Sequence, residues 1–308
     1  MRFHLVTLEF APDIGGIATW CGSLAGALRE TGHDVSVYCR GDHGGEVTRL
    51  YGRSWNRFGH LWVAAQLRPR LREGDVVLTA TWPLALGLLG HCRVATAYHG
   101  TDLTRPPIIS GREQVAATAI NLPVSAFLGG LLGAPHTVLP YPIRTLKPAP
   151  RGDKLLVVAR LTAQKGVDRA LKLAERMGRA AIVVGDGPER AALQALAATL
   201  SVPVHFLGAT LTIPWDEAYA LALLSRTYPD GSGAEGLGLV LLEAAARGIP
   251  SIGARCGGIP EAATVVLDNP DEEIPRALPD AAAVQASLVA RHSPERCVQT
   301  LLNALGSD

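Results

Sequence analysis

The chain has 308 residues, 48% of them hydrophobic, with 29 Lys plus Arg against 28 Asp plus Glu and a net charge of +1. That composition excludes a disordered chain, and the balanced charge advertises neither a nucleic-acid surface nor an acidic partner. At about 100–200 residues per domain, the length predicts two domains, each able to carry a core.

The N-terminal MRFHLVTLEF reads as a strand with a charged end rather than a secretory leader. The longest apolar runs, such as WPLALGLLG, fall short of the roughly 20 residues that span a bilayer. In the first half, strands are expected near Phe3–Leu8, Asp34–Cys39, Asp75–Thr79, Arg93–Tyr98, Leu122–Ser125 and His136–Leu139. Helices are expected near Ile17–Glu30, Phe58–Leu71, Arg112–Ala117 and Ala126–Leu132. Near-continuous apolar strands such as DVVLTA fit a sheet covered on both faces. PYPIRTLKPAPRGD, from Pro140 to Asp153, has four prolines and three basic residues and reads as an inter-domain linker.

The second half restarts the rhythm. KLLVVAR is a strand. VDRALKLAERMG places Val167, Ala170, Leu171 and Ala174 at helical spacing, with Gly178 as a stop. AAIVVGDG is a strand, PERAALQALAATL a helix with Pro188 near its first turn, and VHFLG a strand. GIPSIGA and TVVLD follow. The acidic run Asp268–Glu273 reads as a solvated loop, and SPERCVQTLLNAL as a last helix capped by Ser293. This alternation predicts an α/β fold of two Rossmann-like, doubly wound parallel-sheet domains facing a cleft. The domains are residues 1–143 and 154–308, joined by the linker 144–153, with the last helix free to cross back. Five scattered cysteines with no C-x-x-C pair fit reduced thiols in a cytoplasmic protein.

Ligands of open parallel sheets bind at the carboxyl ends of the strands, so the glycine-rich turns there are the candidates. Gly15-Gly16 follows the first strand and opens the first helix, whose free N–H groups and dipole make a phosphate seat. The spacing is not G-x-G-x-x-G, and a plain tight turn also fits. In ARLTAQKG, Arg160 and Lys165 leave a strand end within five residues. A forked donor beside a point charge suits a diphosphate, and two solvated loop cations are the alternative. In AYHGTDL, His99 and Asp102 close the fourth strand, as a functional pair or as a structural histidine and its neighbour. The turn at Gly187, Pro188 and Glu189 can receive a nucleobase.

In GAEGLGLVLLEAAARGIP, Glu235 sits in a turn whose glycines feed a helix. That helix is expected to begin near Gly238, to face Leu239, Leu242 and Ala246 inward, and to end at Gly248. The turn is a seat for phosphate or sugar oxygens, and Glu243 can accept from ribose hydroxyls. On spacing alone, two surface acids of a βα unit fit as well. No D-x-D site follows a strand. Arg160 and Lys165 can do a metal ion's work, so neither metal nor cofactor is expected.

Taken in order, GG near the N-terminus, HGTD, ARLTAQKG, VVGDGPER, HFLG and EGLGLVLLEAAARGIPSIGARCGGIPE resemble the retaining glycosyltransferases of family four, which have the GT-B fold. The resemblance runs nearly the whole chain and is strongest over Leu155–Glu261. It implies a nucleotide-diphosphate sugar donor, a UDP- or GDP-sugar, held mostly by the C-terminal domain. Arg160, Lys165 and the Gly16 N–H would meet the diphosphate. Glu235 and the backbone of Gly236, Leu237, Gly238 and Leu239 would hold the sugar, and Glu243 the ribose. His99 would approach the sugar's reacting face, Asp102 the acceptor, and Gly187–Glu189 the base. The acceptor would occupy the N-terminal domain and is expected to be a small molecule or glycan intermediate, with a lipid-linked acceptor as the alternative. The segment Asn56–Glu73 sets Phe58, Leu61, Trp62, Ala65 and Leu67 among arginines, which suits a membrane surface or a core-facing helix with a basic end. The chain departs from the family at Leu237, where Phe is usual, at LPYPIR, at LLSRTYPDGS, and in a short N-terminal domain. A non-catalytic sugar-nucleotide binder and a sugar-nucleotide epimerase are the rival readings.

Overall fold

The computed structural model describes residues 1–13, 15–40, 47–50, 59–104, 107, 109–228, 233–275 and 277–306. The chain divides into two compact units, one of Met1–Pro142 with His292–Asp308, the other of Ile143–Arg291.

In the first unit the described elements run β1 (Arg2–Thr7), α1 (Gly16–Glu30), β2 (Asp34–Cys39), β3 (Val47–Arg49), α2 (Gly59–Leu67), β4 (Val76–Thr79), α3 (Trp82–Ala85), β5 (Arg93–Tyr98), α4 (Thr101–Thr104), α5 (Arg112–Thr118), β6 (Ile120–Pro123) and α6 (Ala126–Leu132). They form a parallel sheet in the order β3-β2-β1-β4-β5-β6. Phe3 to Thr7 of β1 and all of β4 are buried, as strands covered on both faces must be. Val63, Leu67, Trp82, Leu84, Leu88, Tyr98 and Val115 belong to the core cluster on this sheet.

The strand expected at His136–Leu139 does not form. Between Pro135 and Pro140 this segment gives β6 only two amides, Thr137 to the Asn121 oxygen (3.0 Å) and Leu139 to the Pro123 oxygen (2.9 Å). It runs along the sheet edge without a ladder. The helix expected from Phe58 begins at Gly59 among the described residues, and Asn56–Phe58 lie outside them.

The second unit contains β7 (Lys154–Val158), α7 (Val167–Arg176), β8 (Ala181–Val184), α8 (Arg190–Ala197), β9 (Val204–Gly208), β10 (Ala218–Leu223), α9 (Leu239–Ala246), β11 (Ser251–Ala254), α10 (Ile259–Ala262), β12 (Val265–Leu267) and α11 (Ala281–Arg291). Its parallel sheet has the order β12-β11-β10-β7-β8-β9. Val167, Ala170, Leu171 and Ala174 of α7 are all buried, joined by Leu173. α9 is buried over most of its surface: Leu241, Leu242, Ala244, Ala245 and Ala246 are inside, while Leu239 is half-buried rather than inward. α8 starts at Arg190, because Pro188 belongs to the preceding turn.

The stretch expected as a linker lies along this unit. Leu146 donates to the Ala246 oxygen (2.7 Å), Ala149 to the Arg247 oxygen (2.9 Å) and Gly152 to the Ala218 oxygen (3.1 Å). The acidic run is also anchored rather than merely solvated: Asp271 pairs with Arg169 at 2.9 Å, and Arg176 donates to the Pro270 oxygen at 2.7 Å.

The last helix, α12 (Pro294–Ala304), belongs to the first unit. Ser293 Oγ accepts from the Arg296 amide at 3.1 Å, as a Ser N-cap does. Cys297, Val298 and Leu301 are buried, and α12 packs on α1. The Tyr141 amide donates to His292 Nδ1 at 3.2 Å, and Arg93 donates to the Leu305 carbonyl.

Candidate active site

Doubly wound sheets bind ligands where the strand order reverses. In the second unit β7, β8 and β9 step outward in one direction and β10 returns to the other side of β7, so the reversal lies between β7 and β10. The loops that leave these two strands carry Arg160 and Lys165 on one side and Ser225 and Glu235 on the other.

The fold brings Lys165 and Glu235 together: Lys165 Nζ donates to Glu235 Oε2 at 2.5 Å, with the side chains 17% and 15% exposed. Ser225 Oγ, at the end of β10, donates to the same oxygen at 3.3 Å. The Glu235 carbonyl accepts from the Gly258 amide at 2.8 Å. A Cβ on Gly257, at φ +58°, would stand 2.1 Å from that carbonyl oxygen, so only glycine lets the two loops close on each other. Arg160, by contrast, is exposed, and its guanidinium has no partner among the described residues. The loop after β7 thus carries one paired cation, Lys165, and one exposed cation, Arg160.

Gly238 caps α9 at φ +84°, and a Cβ there would meet Leu223 at 2.9 Å. The turn therefore presses onto the end of β10, and α9 begins at Leu239. Gly236, Leu237 and Gly238 are buried. Glu243 lies in the second turn of α9, and burial raises its pKa against the opposing pull of Arg247. The turn of Gly187, Pro188 and Glu189 lies beside the Arg160 loop: the Leu161 amide donates to the Asp186 oxygen (2.9 Å) and the Glu189 amide to the Leu161 oxygen (3.0 Å). A Gly187 Cβ would stand 2.5 Å from the Leu161 oxygen.

In the first unit the order reverses between β1 and β4. Gly15, the N-cap of α1, is extended, and Gly16 opens the helix. Glu9 Oε2 stands 3.0 Å from where a Gly15 Cβ would be, so a carboxylate already flanks this helix end. One turn along, Trp20 meets His99 edge-on with ring centroids 4.7 Å apart. His99 is half-buried, its Nε2 is shut off from solvent without a partner among the described residues, and desolvation pushes its pKa down to about 4. It is a neutral imidazole at physiological pH. Asp102 accepts from the Gly100 amide (2.8 Å) and the His99 amide (3.2 Å), so its carboxylate shapes the turn after β5. Burial raises the Asp102 pKa, against these amide bonds.

Trp20, Ser225, Gly257 and Gly258 enter the two sites without having been singled out in the sequence. The glycine pair stands in a motif, CGGIPE, that offered a signal. Ser225 follows β10, whose alanine-rich AYALAL gives no strand signal, and Trp20 lies within the expected first helix with no motif to mark it. Among the described residues no group of three or more His, Cys, Asp or Glu is placed to hold a metal ion.

The description "Glycosyltransferase Family 4" matches residues 14–164, and "Glycosyl transferases group 1" matches residues 144–265. The GDP-mannose-dependent monoacylated alpha-(1-6)-phosphatidylinositol monomannoside mannosyltransferase of Corynebacterium glutamicum is 31% identical over 314 residues, 84% of this chain and 82% of that one. The GDP-mannose-dependent alpha-(1-6)-phosphatidylinositol monomannoside mannosyltransferase of Mycolicibacterium smegmatis is 28% identical over 323 residues, 86% of this chain and 82% of that one. Among solved structures, AviGT4, a glycosyltransferase involved in avilamycin A biosynthesis, matches with a TM-score of 0.75 at 20% identity, covering 100% of this chain and 98% of that one. Anabaena Alr3699/HepE in complex with UDP-glucose matches with a TM-score of 0.74 at 18% identity, covering 99% and 100%. Both structures share the two-domain, Rossmann-like GT-B fold. The chain is a glycosyltransferase and belongs to family four.

Proposed function

We propose that the chain moves a mannosyl group from GDP-mannose to a hydroxyl of a glycosylated phospholipid, with retention of configuration. The observation that carries the reading is the site between β7 and β10, where one loop carries the exposed Arg160 and the Lys165 that pairs with Glu235. Breaking the bond between the sugar C1 and phosphate builds negative charge on the departing diphosphate, and preorganised cations stabilise it. Arg160 and Lys165 meet that charge, Glu235 and the amides of Gly236–Leu239 hold the sugar, and Glu243 holds the ribose. The turn at Gly187–Glu189 supports the base. The acceptor oxygen forms the new bond to C1 and its proton passes to the leaving diphosphate. No step needs a metal ion.

The names of the relatives favour GDP-mannose and a phosphoinositide-type glycolipid over the small-molecule acceptor. One feature of the first unit suits a lipid substrate: Leu61 and Trp62 of α2 are 53% and 61% exposed, ahead of Arg68, Arg70 and Arg72. α2 buries Val63, Ala64 and Leu67 on its other side, so it is core-facing and presents an apolar pair outward. Among the described residues no helix is long and apolar enough to cross a membrane. We infer a protein that works at the cytoplasmic surface of a bilayer.

The test is transfer of labelled sugar from GDP-mannose, with UDP-glucose as the comparison, to phosphatidylinositol mannoside in vesicles, with and without EDTA. EDTA-insensitive transfer from GDP-mannose supports the reading. Transfer from UDP-glucose alone replaces the donor, and no transfer with no thermal shift by GDP or UDP returns the chain to a non-catalytic role. Arg160→Ala removes a charge-assisted contact of about 1.5–3 kcal/mol, a loss of about ten- to a hundred-fold in kcat/KM for the donor. Unchanged kcat/KM takes Arg160 out of the site.

A further inference from the structure

Lys165 ends a turn of only three residues, Ala163–Lys165, closed by the Lys165 amide to the Thr162 oxygen (3.0 Å) and the Gly166 amide to the Ala163 oxygen (3.3 Å). A lysine on so short a turn has a flexible four-carbon stem, so its ammonium is placed only as well as its backbone is. The strand end opposite supplies the missing support. The Arg226 amide donates to the Gln164 oxygen at 2.9 Å. Its guanidinium donates to the Ala163 oxygen at 3.3 Å and to both carboxylate oxygens of Asp168, at 3.0 and 2.8 Å. Gln164 Nε2 returns the contact, donating to the Gly233 oxygen at 2.7 Å. Residues 163, 164 and 168 are therefore bound to the loop that carries Glu235, and Lys165 lies between them. Gly166 seals the joint: at φ +61° its Cβ would stand 1.9 Å from the Leu224 oxygen.

From this we infer that Arg226 is a positioning residue for the donor diphosphate, acting through Asp168 and the Ala163–Lys165 turn to hold Lys165 over Glu235. The inference rests on Lys165 meeting the diphosphate. Arg226 and Asp168 are 27% and 34% exposed, and an ion pair so exposed contributes little to overall stability. What the pair supplies is register. Three contacts fan from one planar guanidinium, a geometry that a lysine ammonium at this position does not reproduce. Asp168 stands in the first turn of α7, where the helix end favours its charge independently of Arg226.

The experiment compares Arg226→Ala and Arg226→Lys in the full chain, each also combined with Lys165→Ala, with Asp168→Asn as a second route to the same contact. Amide hydrogen exchange at Lys165 and Gly166 is read without ligand, and GDP and UDP affinities by calorimetry well below the melting temperature. Arg226→Ala should speed exchange at these two amides and weaken binding of the accepted nucleotide by about five- to tenfold. Arg226→Lys should fall between, and Asp168→Asn should follow Arg226→Ala. In the Lys165→Ala background the further loss from Arg226→Ala should shrink below about twofold, because the two act as one unit. Unchanged exchange overturns the proposal, and so does an equal affinity loss in both backgrounds. Faster exchange with nucleotide affinity unmoved by Lys165→Ala overturns instead the phosphate reading of Lys165, and with it the purpose assigned to Arg226.

Discussion

Glu235 is the residue on which the proposed donor site turns. Its carboxylate accepts from both Lys165 and Ser225, so on the proposed reading the cation that meets the phosphate is balanced by the group that holds the sugar. On that reading, donor binding exchanges one partner of Lys165 for another. Glu235→Gln therefore separates two roles: turnover should fall at least about tenfold while GDP binds no more weakly than to the wild type. Single-turnover kinetics beside calorimetry reads both, and parallel losses would make Glu235 a structural acid. His99 gives a second prediction through pH. Its folded pKa of about 4 lies below the usual value near 6.5, so the unfolded chain takes up a proton that the folded chain refuses. Stability linked to His99 is complete above about pH 6.5 and falls as pH drops toward 4, by up to about 3 kcal/mol. The melting-temperature difference between wild type and His99→Gln, followed from pH 7.5 to 4.5, should narrow by that effect. At this scale the sequence exposed Arg160, Lys165, Glu235 and Glu243, because each stands in a short motif after a strand. Ser225, Gln164 and Arg226 stayed hidden, because their meaning lies in contacts with residues 10 to 69 positions away.

At the scale of the element, glycine and alanine decide where local reading works. Gly166 and Gly178 look alike in sequence and both lie at φ +61°. Beside Gly166 a Cβ would strike the Leu224 carbonyl, whereas beside Gly178 there is nothing within 4 Å. Gly178→Ala should cost only about 1 kcal/mol for the left-handed backbone, while Gly166→Ala should cost about 3 kcal/mol or more and disturb the Lys165 turn as well. Urea denaturation of the two variants gives the comparison, and equal costs would mean that β10 yields freely. Strands rich in Val, Leu and Ile, such as β7 and β8, were legible because a doubly covered strand is a continuous apolar run. β10 was not: its alanines carry little strand propensity, and it is a strand because β7 and β11 hold it on either side. α11, AAAVQASLVAR, was passed over, and its residues Val284 and Leu288 are what it buries. His136–Leu139 failed in the opposite sense, apolar enough for a strand but bounded by prolines that stop its ladder.

For the whole molecule, the two-sheet plan was legible from the alternation of strands and helices, and the matched folds bear it out. The proline-rich stretch signalled a change of unit, but no local signal says which unit a terminal helix will join. That is fixed by what α1 must cover, and α12 covers it with Cys297, Val298 and Leu301. A fragment of residues 1–142 lacks this cover and should fail to give a cooperative unfolding transition. Residues 143–291, which carry their own sheet and its helices, should give one. Circular dichroism melts of both fragments, with a 292–308 peptide added to the first, make the check. A cooperative melt of 1–142 alone would show α12 to be dispensable.

The same helix sets a timetable. A ribosome releases a chain from its N-terminus, and domains generally fold as units in that order. Here the first unit to be synthesised is the last that can be finished, since the α1 surface waits for residues beyond 291 while the inserted second unit emerges complete. During that interval the nascent chain carries an α1 face that α12 has not yet covered, so the order of synthesis and the order of completion are opposed.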